Sequence, residues 1–101
     1  MAHITFVKKI LADGSLCKKC QEVSERMTSE GLLAIIDHIV IADERDAASP
    51  GMRLAKEHQV SRAPFFILEE DNGERIIFDI YFKFKKHIAA LGLIPVVSSA
   101  L

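Results

Sequence analysis

Cys17-Lys18-Lys19-Cys20 contains the only two cysteines of the chain. The residues that follow, as far as Glu30, have the composition of a helix, so the two thiols are expected at a helix N-terminus. The first turn of a helix has unpaired backbone N–H groups and the positive end of the helix dipole. Both favour the thiolate form of the first cysteine, which is the reactive form. Cys17 and Cys20 are therefore the candidate reactive site, and the rest of the chain is expected to hold them in place.

The composition is typical of a single globular domain. The chain has 101 residues, half of them hydrophobic, and a formal net charge of −1. A domain of this length can bury a core without disulfide or metal cross-links, and its charge gives no reason to expect binding to nucleic acid or an anionic membrane. No apolar run approaches the roughly 18 residues of a membrane span. The N-terminus lacks the basic and apolar regions of a signal peptide, so we expect a cytoplasmic protein with reduced thiols.

Hydrophobic patterning predicts seven elements in the order β-α-β-α-β-β-α. In the first helix Cys20, Val23 and Met27 recur at spacings of three and four, which places them on one face. Ser49 and Pro50 are the expected N-cap and first residue of the second helix. The predicted strands cover residues 3–10, 35–42, 63–68 and 75–80, and the predicted helices cover residues 18–30, a short segment from residue 49, and residues 81–91.

The order of these elements predicts how they connect. Two strands joined by a helix are expected to be parallel. The turn Asp71-Asn72-Gly73 predicts a tight hairpin, so the strands on either side of it are antiparallel. An α/β fold follows, in which a four-stranded mixed sheet has helices on both faces. We place the domain at residues 3–92 and a C-terminal tail at residues 93–101, since the sequence from Pro95 onward has no periodicity.

Three motifs accompany the cysteine pair. Ser49-Pro50-Gly51 begins the second helix, Ala63-Pro64 precedes an apolar strand, and Asn72-Gly73 lies in the hairpin turn. Together with Cys17-x-x-Cys20 after the first strand, they resemble the thioredoxin-fold superfamily over residues 3–92, in a minimal form without the additional N-terminal strand and helix of thioredoxin. The resemblance implies a thioredoxin-like three-layer sandwich in which a cis Ala63–Pro64 bond lies beside the cysteine pair.

The same resemblance implies a thiol–disulfide oxidoreductase. Cys17 would attack the disulfide of a protein or a small molecule, and Cys20 would then displace the reduced product. Ala63, held next to Pro64, would pair its backbone with an extended substrate strand. An upstream thiol reductant would restore the dithiol, and the reaction calls for neither a cofactor nor a metal.

Three basic side chains are candidates for substrate contacts. Lys18 and Lys19 add positive charge beside Cys17, which would favour its thiolate and a more oxidising pair. Alternatively they belong to a solvated first helical turn, because basic residues oppose the dipole at a helix N-terminus. Arg62 precedes the predicted substrate strand, where it either receives an acidic or carboxylate partner or remains a solvated surface arginine.

The chain departs from the family pattern at several positions. Leu11 holds the place of the buried aspartate that thioredoxins carry six residues before the first cysteine, and Leu16 holds that of their tryptophan. Asp13 lies nearer but in a polar turn, so proton transfer to and from Cys20 would use water or another group. The Gly-Gly and the motif aromatic that help glutaredoxins bind glutathione are absent. A generic dithiol activity is therefore favoured over a glutathione-specific one.

Two other functions remain open from the sequence. The chain could be a non-catalytic thioredoxin-fold module that docks a protein along residues 63–68 and the cysteine face. It could also be a dimer bridged by a metal or a cluster, since a zinc site needs roughly four ligands and one cysteine pair supplies two. The four histidines show no metal-ligand spacing, and we expect Phe65, Phe66, Phe78, Phe82 and Phe84 in the core or along a substrate groove.

Overall fold

The described part of the chain, residues 2–93, contains one four-stranded sheet in the computed structural model. The strands are β1 (His3–Ile10), β2 (His38–Asp43), β3 (Phe65–Glu69) and β4 (Arg75–Phe78), and the helices are α1 (Lys18–Ser29), α2 (Pro50–Glu57) and α3 (Tyr81–Ala90). In the sheet order β2-β1-β3-β4, β1 and β2 are parallel, whereas the other two neighbouring pairs are antiparallel. The predicted four-stranded mixed sheet is confirmed.

One face of the sheet is covered by α1 and α3, which form the larger core with β1 and β3. Phe66 lies at the centre of this core. Its ring stacks on Phe6 of β1 with the ring centroids 5.0 Å apart, and on Phe84 of α3 with the centroids 4.0 Å apart. Such ring pairs add to the stabilisation that burial of the apolar area provides. The predicted apolar stripe of α1 is buried in full: Cys20, Val23 and Met27.

The opposite face of the sheet is covered by α2. Met52 and Leu54 of this helix pack against Val7 of β1 and Phe65 of β3, which are both almost completely buried. Helices therefore cover both faces of the sheet, as predicted.

The second strand begins later than the sequence predicted. Residues Leu32–Ile35 form a 3₁₀ turn, and β2 starts at His38 rather than at Ile35. The cause is Asp37, whose carboxylate accepts a hydrogen bond from Ile4 N–H at 2.6 Å while its own N–H donates to Ile4 O at 2.8 Å. The aspartate side chain thus satisfies the backbone at the start of β1, and the ladder between β1 and β2 begins after it.

Ser49 is the N-cap residue of α2, as predicted. Its hydroxyl makes no bond to the first turn of the helix. It accepts a hydrogen bond from Asp43 N–H at 3.0 Å instead. The buried hydroxyl therefore ties the start of α2 to the end of β2.

The proposed C-terminal tail, residues 93–101, lies outside the described residues except for Leu93, so the domain boundary stays a prediction. Among the described residues, no helix has both the length and the apolar character needed to cross a membrane.

Gly51 sets the distance between α2 and β2. A Cβ atom at this position would lie 2.3 Å from Ala42 N and 2.5 Å from Ile41 C, both of them backbone atoms. The backbone of Ile41 and Ala42 cannot move aside as a flexible side chain can, so only glycine fits at position 51.

We predict that Gly51→Ala destabilises the protein by about 3 kcal/mol or more, since overpacking against backbone forces the helix away from the sheet. Equilibrium unfolding in urea measures the change. Helix propensity alone acts in the other direction, because alanine is favoured over glycine by about 1 kcal/mol in a helix. Arg53→Ala, at an exposed position of the same helix, is the control. A Gly51→Ala variant as stable as the parent would contradict the close approach.

Candidate functional site

The turn between β1 and α1 folds the chain back onto the end of β1. Leu11 N–H donates to Ser15 O at 2.8 Å, and the Asp13 carboxylate accepts hydrogen bonds from both the N–H and the hydroxyl of Ser15. Gly14 has a φ of +86°, which the left-handed turn requires and which other residues rarely adopt. The hydroxyl of Ser15 lowers the pKa of Asp13 below its usual value, so this exposed carboxyl stays ionised in the turn.

Both cysteines are held by the backbone of Lys9, at the end of β1. The carbonyl of Lys9 accepts a hydrogen bond from Cys17 N–H at 3.0 Å, and the N–H of Lys9 donates to Cys20 Sγ at 3.3 Å. The β1–β3 ladder ends at the pair Val7–Phe65. Continuing that register by two residues would set Lys9 opposite Ala63, and the cysteines occupy the gap between them.

Cys17 is the N-cap residue of α1 and is half-buried. Its carbonyl accepts the first helical hydrogen bond, from Gln21 N–H at 3.0 Å. Its Sγ lies 4.0 Å from the carbonyl oxygen of Ala63, which is 46 positions away in the sequence. The thiol therefore lies at the helix N-terminus and within reach of a second backbone segment.

Cys20 has no accessible surface. Burial raises the pKa of its thiol to about 12, and the neighbouring Cys17 adds to the rise, while the hydrogen bond from Lys9 N–H opposes it. Both cysteines are free thiols in this structure. The two sulfurs thus differ in accessibility although they are one helical turn apart.

The Ala63–Pro64 peptide bond is cis. Pro64 is buried and Ala63 is half-buried, immediately before β3. Because the carbonyl oxygen of Ala63 lies 4.0 Å from Cys17 Sγ, this predicted substrate segment is next to Cys17.

The three predicted basic residues are all exposed. Lys18, Lys19 and Arg62 have no ion-pair partner among residues 2–93. Lys19 and Arg62 line a cleft of about 600 Å³, whereas Lys18 does not. The structure thus brings two of the three cations to one concave surface and leaves the third outside it.

The cleft lies between α1, residues 62–64 and the junction of β4 with α3. Its far wall includes Ile80 and Phe82, and the side chain of Phe82 is 70% exposed. The sequence did not indicate which of the phenylalanines lie in the core and which line a groove. Phe65, Phe66 and Phe84 are core residues, and Phe82 belongs to the cleft. The signal that could have separated them is helical spacing, because Phe82 is off the stripe formed by Tyr81, Phe84 and Ile88.

Glu30 links the two helices that border the cleft. Its carboxylate accepts hydrogen bonds from the Tyr81 hydroxyl and, at 2.6 Å, from Lys85 Nζ. These donors lower the pKa of Glu30, and burial together with the carboxylate raises the pKa of Tyr81. Arg26 of α1 lies over the Tyr81 ring, 5.5 Å from its centroid. The end of α1 is therefore fixed to the start of α3, which keeps the cleft walls in place.

Among residues 2–93, no group of three or more histidine, cysteine, aspartate or glutamate side chains could hold a metal ion.

We predict that the two thiols differ by orders of magnitude in alkylation rate. A thiol with a pKa near 12 is only about one part in ten thousand thiolate at pH 8, and Cys20 is also shielded from the reagent. Iodoacetamide should therefore label Cys20→Ser rapidly and Cys17→Ser very slowly, with the slow rate rising as the pH approaches 11. Mass spectrometry follows the labelling, and denatured samples of both variants are the control. Comparable rates in the folded variants would contradict the burial of Cys20.

Comparison with known proteins gives one consistent likeness. No protein-family model matches the sequence, and no curated protein sequence matches it significantly. The structure is similar to the germline-specific thioredoxin Deadhead of Drosophila melanogaster, with a TM-score of 0.54 at 17% identity over 88% of this chain and 81% of that one. It is likewise similar to Fasciola hepatica thioredoxin, with a TM-score of 0.54 at 14% identity over 87% of this chain and 80% of that one. The chain therefore has a thioredoxin-like fold.

Proposed function

We propose that the chain is a thiol–disulfide oxidoreductase in which Cys17 is the nucleophile and Cys20 the resolving thiol. The observation that carries this proposal is the asymmetry of the pair: a half-buried thiol at a helix N-terminus stands one turn from a fully buried one. Nucleophilic attack needs an accessible thiolate, and resolution needs a second thiol that does not compete for the substrate. The thioredoxin-like fold supports the same reading.

The proposed reaction has two exchange steps. Cys17 thiolate attacks one sulfur of a substrate disulfide, so a mixed disulfide forms, the substrate S–S bond breaks and the departing thiolate takes a proton. Cys20 then loses its proton and attacks Cys17 Sγ, which forms the Cys17–Cys20 disulfide and releases the second substrate thiol. Two electrons have passed from the protein to the substrate, and each departing thiolate has taken up a proton, one of them released by Cys20 and the other supplied by the solvent. A dithiol reductant returns the two electrons to the protein in the reverse exchange.

The raised pKa of Cys20 suits the order of these steps. While Cys17 attacks, Cys20 remains a neutral thiol and does not add a second negative charge beside it. In the second step its proton must leave a buried position. Leu11 supplies no carboxylate, and Asp13 is exposed and hydrogen-bonded to Ser15, so water is the proposed proton acceptor.

The proposed substrate is a protein or small-molecule disulfide, and the proposed setting is the cytoplasm, where a thiol reductant is supplied. An extended substrate would lie along Ala63, whose carbonyl already faces Cys17. Lys18 and Lys19, which follow Cys17 in the sequence, and Arg62, which precedes Ala63, would contact the substrate.

One observation favours a second candidate, a non-catalytic binding module of the same fold. Neither Leu11 nor Asp13 places a carboxylate in the interior beside Cys20, which slows proton release in the resolving step. A protein that only docks a partner along Ala63 and the cysteine face needs no such step.

We predict that the parent protein accelerates disulfide reduction with dithiothreitol or a thioredoxin reductase as the electron donor. Cys17→Ser should fall to the uncatalysed rate, because the attacking sulfur is lost. Cys20→Ser should accumulate a mixed disulfide with the substrate, visible by mass spectrometry without reducing agent.

Equal rates for the parent and Cys17→Ser would overturn the proposal. A partner that binds Cys17→Ser and Cys20→Ser as tightly as the parent, without turnover in any of the three, would establish the binding module instead.

A further inference from the structure

β2 is an outer strand of the sheet, and its outer edge is unpaired among the described residues. The sheet order places β1 on one side of β2 and no strand on the other. Residues 38–42, the edge segment, make no backbone hydrogen bond outside the ladder with β1 in the part of the chain from residue 2 to residue 93. In a strand that is paired on one side only, every second residue directs its N–H and carbonyl to the open side. Such an edge can add a strand from another chain.

The two outer strands of the sheet differ in how they are protected. β4 has four residues, and its first residue, Arg75, pairs with Glu69 at 3.3 Å and with Glu57 at 3.8 Å. Short length and charged side chains are common means of preventing strand addition at an edge. The edge segment of β2 lacks aspartate, glutamate, lysine, arginine, proline and glycine. β2 is therefore the edge that is open to another strand.

Two isoleucines of the edge segment extend this open edge onto one face of the sheet. Val40 and Ala42 pack with α2, so Ile39 and Ile41, which alternate with them, lie on the opposite face. Neither isoleucine belongs to the core that α1 and α3 form on that face, and Ile39 is 54% exposed. Apolar side chains beside an unpaired backbone edge are typical of a surface that pairs with a second strand.

The edge segment is suited to pairing with its own copy. An antiparallel pair around a twofold axis at Val40 would set Ile39 opposite Ile41 of the second copy, and His38 opposite Ala42. Opposite residues of an antiparallel pair lie on the same face, so the four isoleucines of the two copies would form one apolar cluster across the axis. Every position of the edge segment would then face another position of the same segment. The register holds whichever alternate residues direct their backbone groups outward.

The aspartates that flank the edge segment meet at the two ends of this pairing. The next pair outward sets Asp37 opposite Asp43 of the second copy. Arg45 donates two hydrogen bonds to the Asp43 carboxylate, at 3.0 and 2.9 Å, and the Asp37 carboxylate accepts one from Ile4 N–H. The Arg45 guanidinium therefore offsets the repulsion between the two aspartates at each end.

We propose that two copies of the chain associate through β2, antiparallel about Val40, so that their two four-stranded sheets continue as one joined sheet. The inference is independent of the proposed function, because it uses neither cysteine. β1 is parallel to β2 and the cysteine pair follows the end of β1, so the antiparallel pairing directs the two cysteine sites to opposite ends of the joined sheet. A contact of one strand from each copy is smaller than a standard interface of about 1,600 Å², so we expect a dissociation constant in the micromolar range.

Sedimentation velocity of the full chain, from about 5 µM to about 500 µM in a phosphine reductant, measures the association. The reductant excludes dimers that form through cysteine disulfides. The sedimentation coefficient should rise with concentration toward that of a dimer of the 11.3 kDa chain. Ile39→Lys should raise the dissociation constant by about tenfold or more. Leu91→Lys, a matching change at the exposed C-cap of α3, should leave it unchanged.

Mixtures of variants test the register. In the proposed pairing residue 39 of one copy faces residue 41 of the other, so Ile39→Lys mixed with Ile41→Glu restores one pair of isoleucines and adds one pair of opposite charges. This mixture should associate about tenfold more tightly than either variant alone. Ile39→Lys mixed with Ile39→Glu is the matched control. Its opposite charges do not face each other, so it should associate less tightly than the first mixture.

Three results would overturn the proposal. The first is a parent chain that stays monomeric over the whole range of concentrations. The second is a dimer that Ile39→Lys leaves intact, since another surface would then hold the two copies together. The third is a dimer that Ile39→Lys weakens but that has the same affinity in both mixtures, because the strands would then not pair in the proposed register.

Discussion

The site depends on the backbone of one residue at the end of the first strand. Lys9 lies beyond the last β1–β3 pair, so its N–H and carbonyl have no hydrogen-bond partner in β3. Buried backbone groups need hydrogen bonds, and these two find theirs in Cys20 Sγ and in Cys17 N–H. The shortened ladder thus creates the place that the two cysteines fill, and Ala63, which would have continued the ladder, becomes the wall opposite Cys17.

This arrangement gives two identical side chains different chemistry. The 3.6-residue repeat of α1 turns Cys20 into the core with Val23 and Met27, while Cys17 stays at the helix N-terminus. Desolvation then holds the buried sulfur in its neutral form. The same helix places Lys19 in the lining of the cleft. The hydrogen bond between Tyr81 and Glu30 joins α1 to α3 and so keeps the width of the cleft fixed.

Local sequence signals predicted what depends on local spacing. The α1 stripe, the parallel first pair of strands and the Asn72-Gly73 hairpin all follow from periodicity or turn chemistry, and the structure has each of them. The predicted start of β2 was wrong because it depends on a side chain that bonds the backbone of another element, Asp37 to Ile4. Ser49 is the predicted N-cap of α2, but local signals did not predict that its hydroxyl bonds the backbone of Asp43 in β2. Helical spacing places Phe82 off the apolar stripe of α3 but does not indicate what it faces, because the cleft wall at Ile80 and Phe82 arises from the docking of α3 beside α1.

The most direct measurement of the central claim is the equilibrium between the dithiol and disulfide forms of the full chain in dithiothreitol and glutathione redox buffers, read by mass spectrometry after acid quenching. The account predicts a single intramolecular Cys17–Cys20 disulfide, whose fraction follows a two-electron dependence of about tenfold per 30 mV. A pair that stays reduced at every poise, or that forms disulfides only between chains, would contradict it.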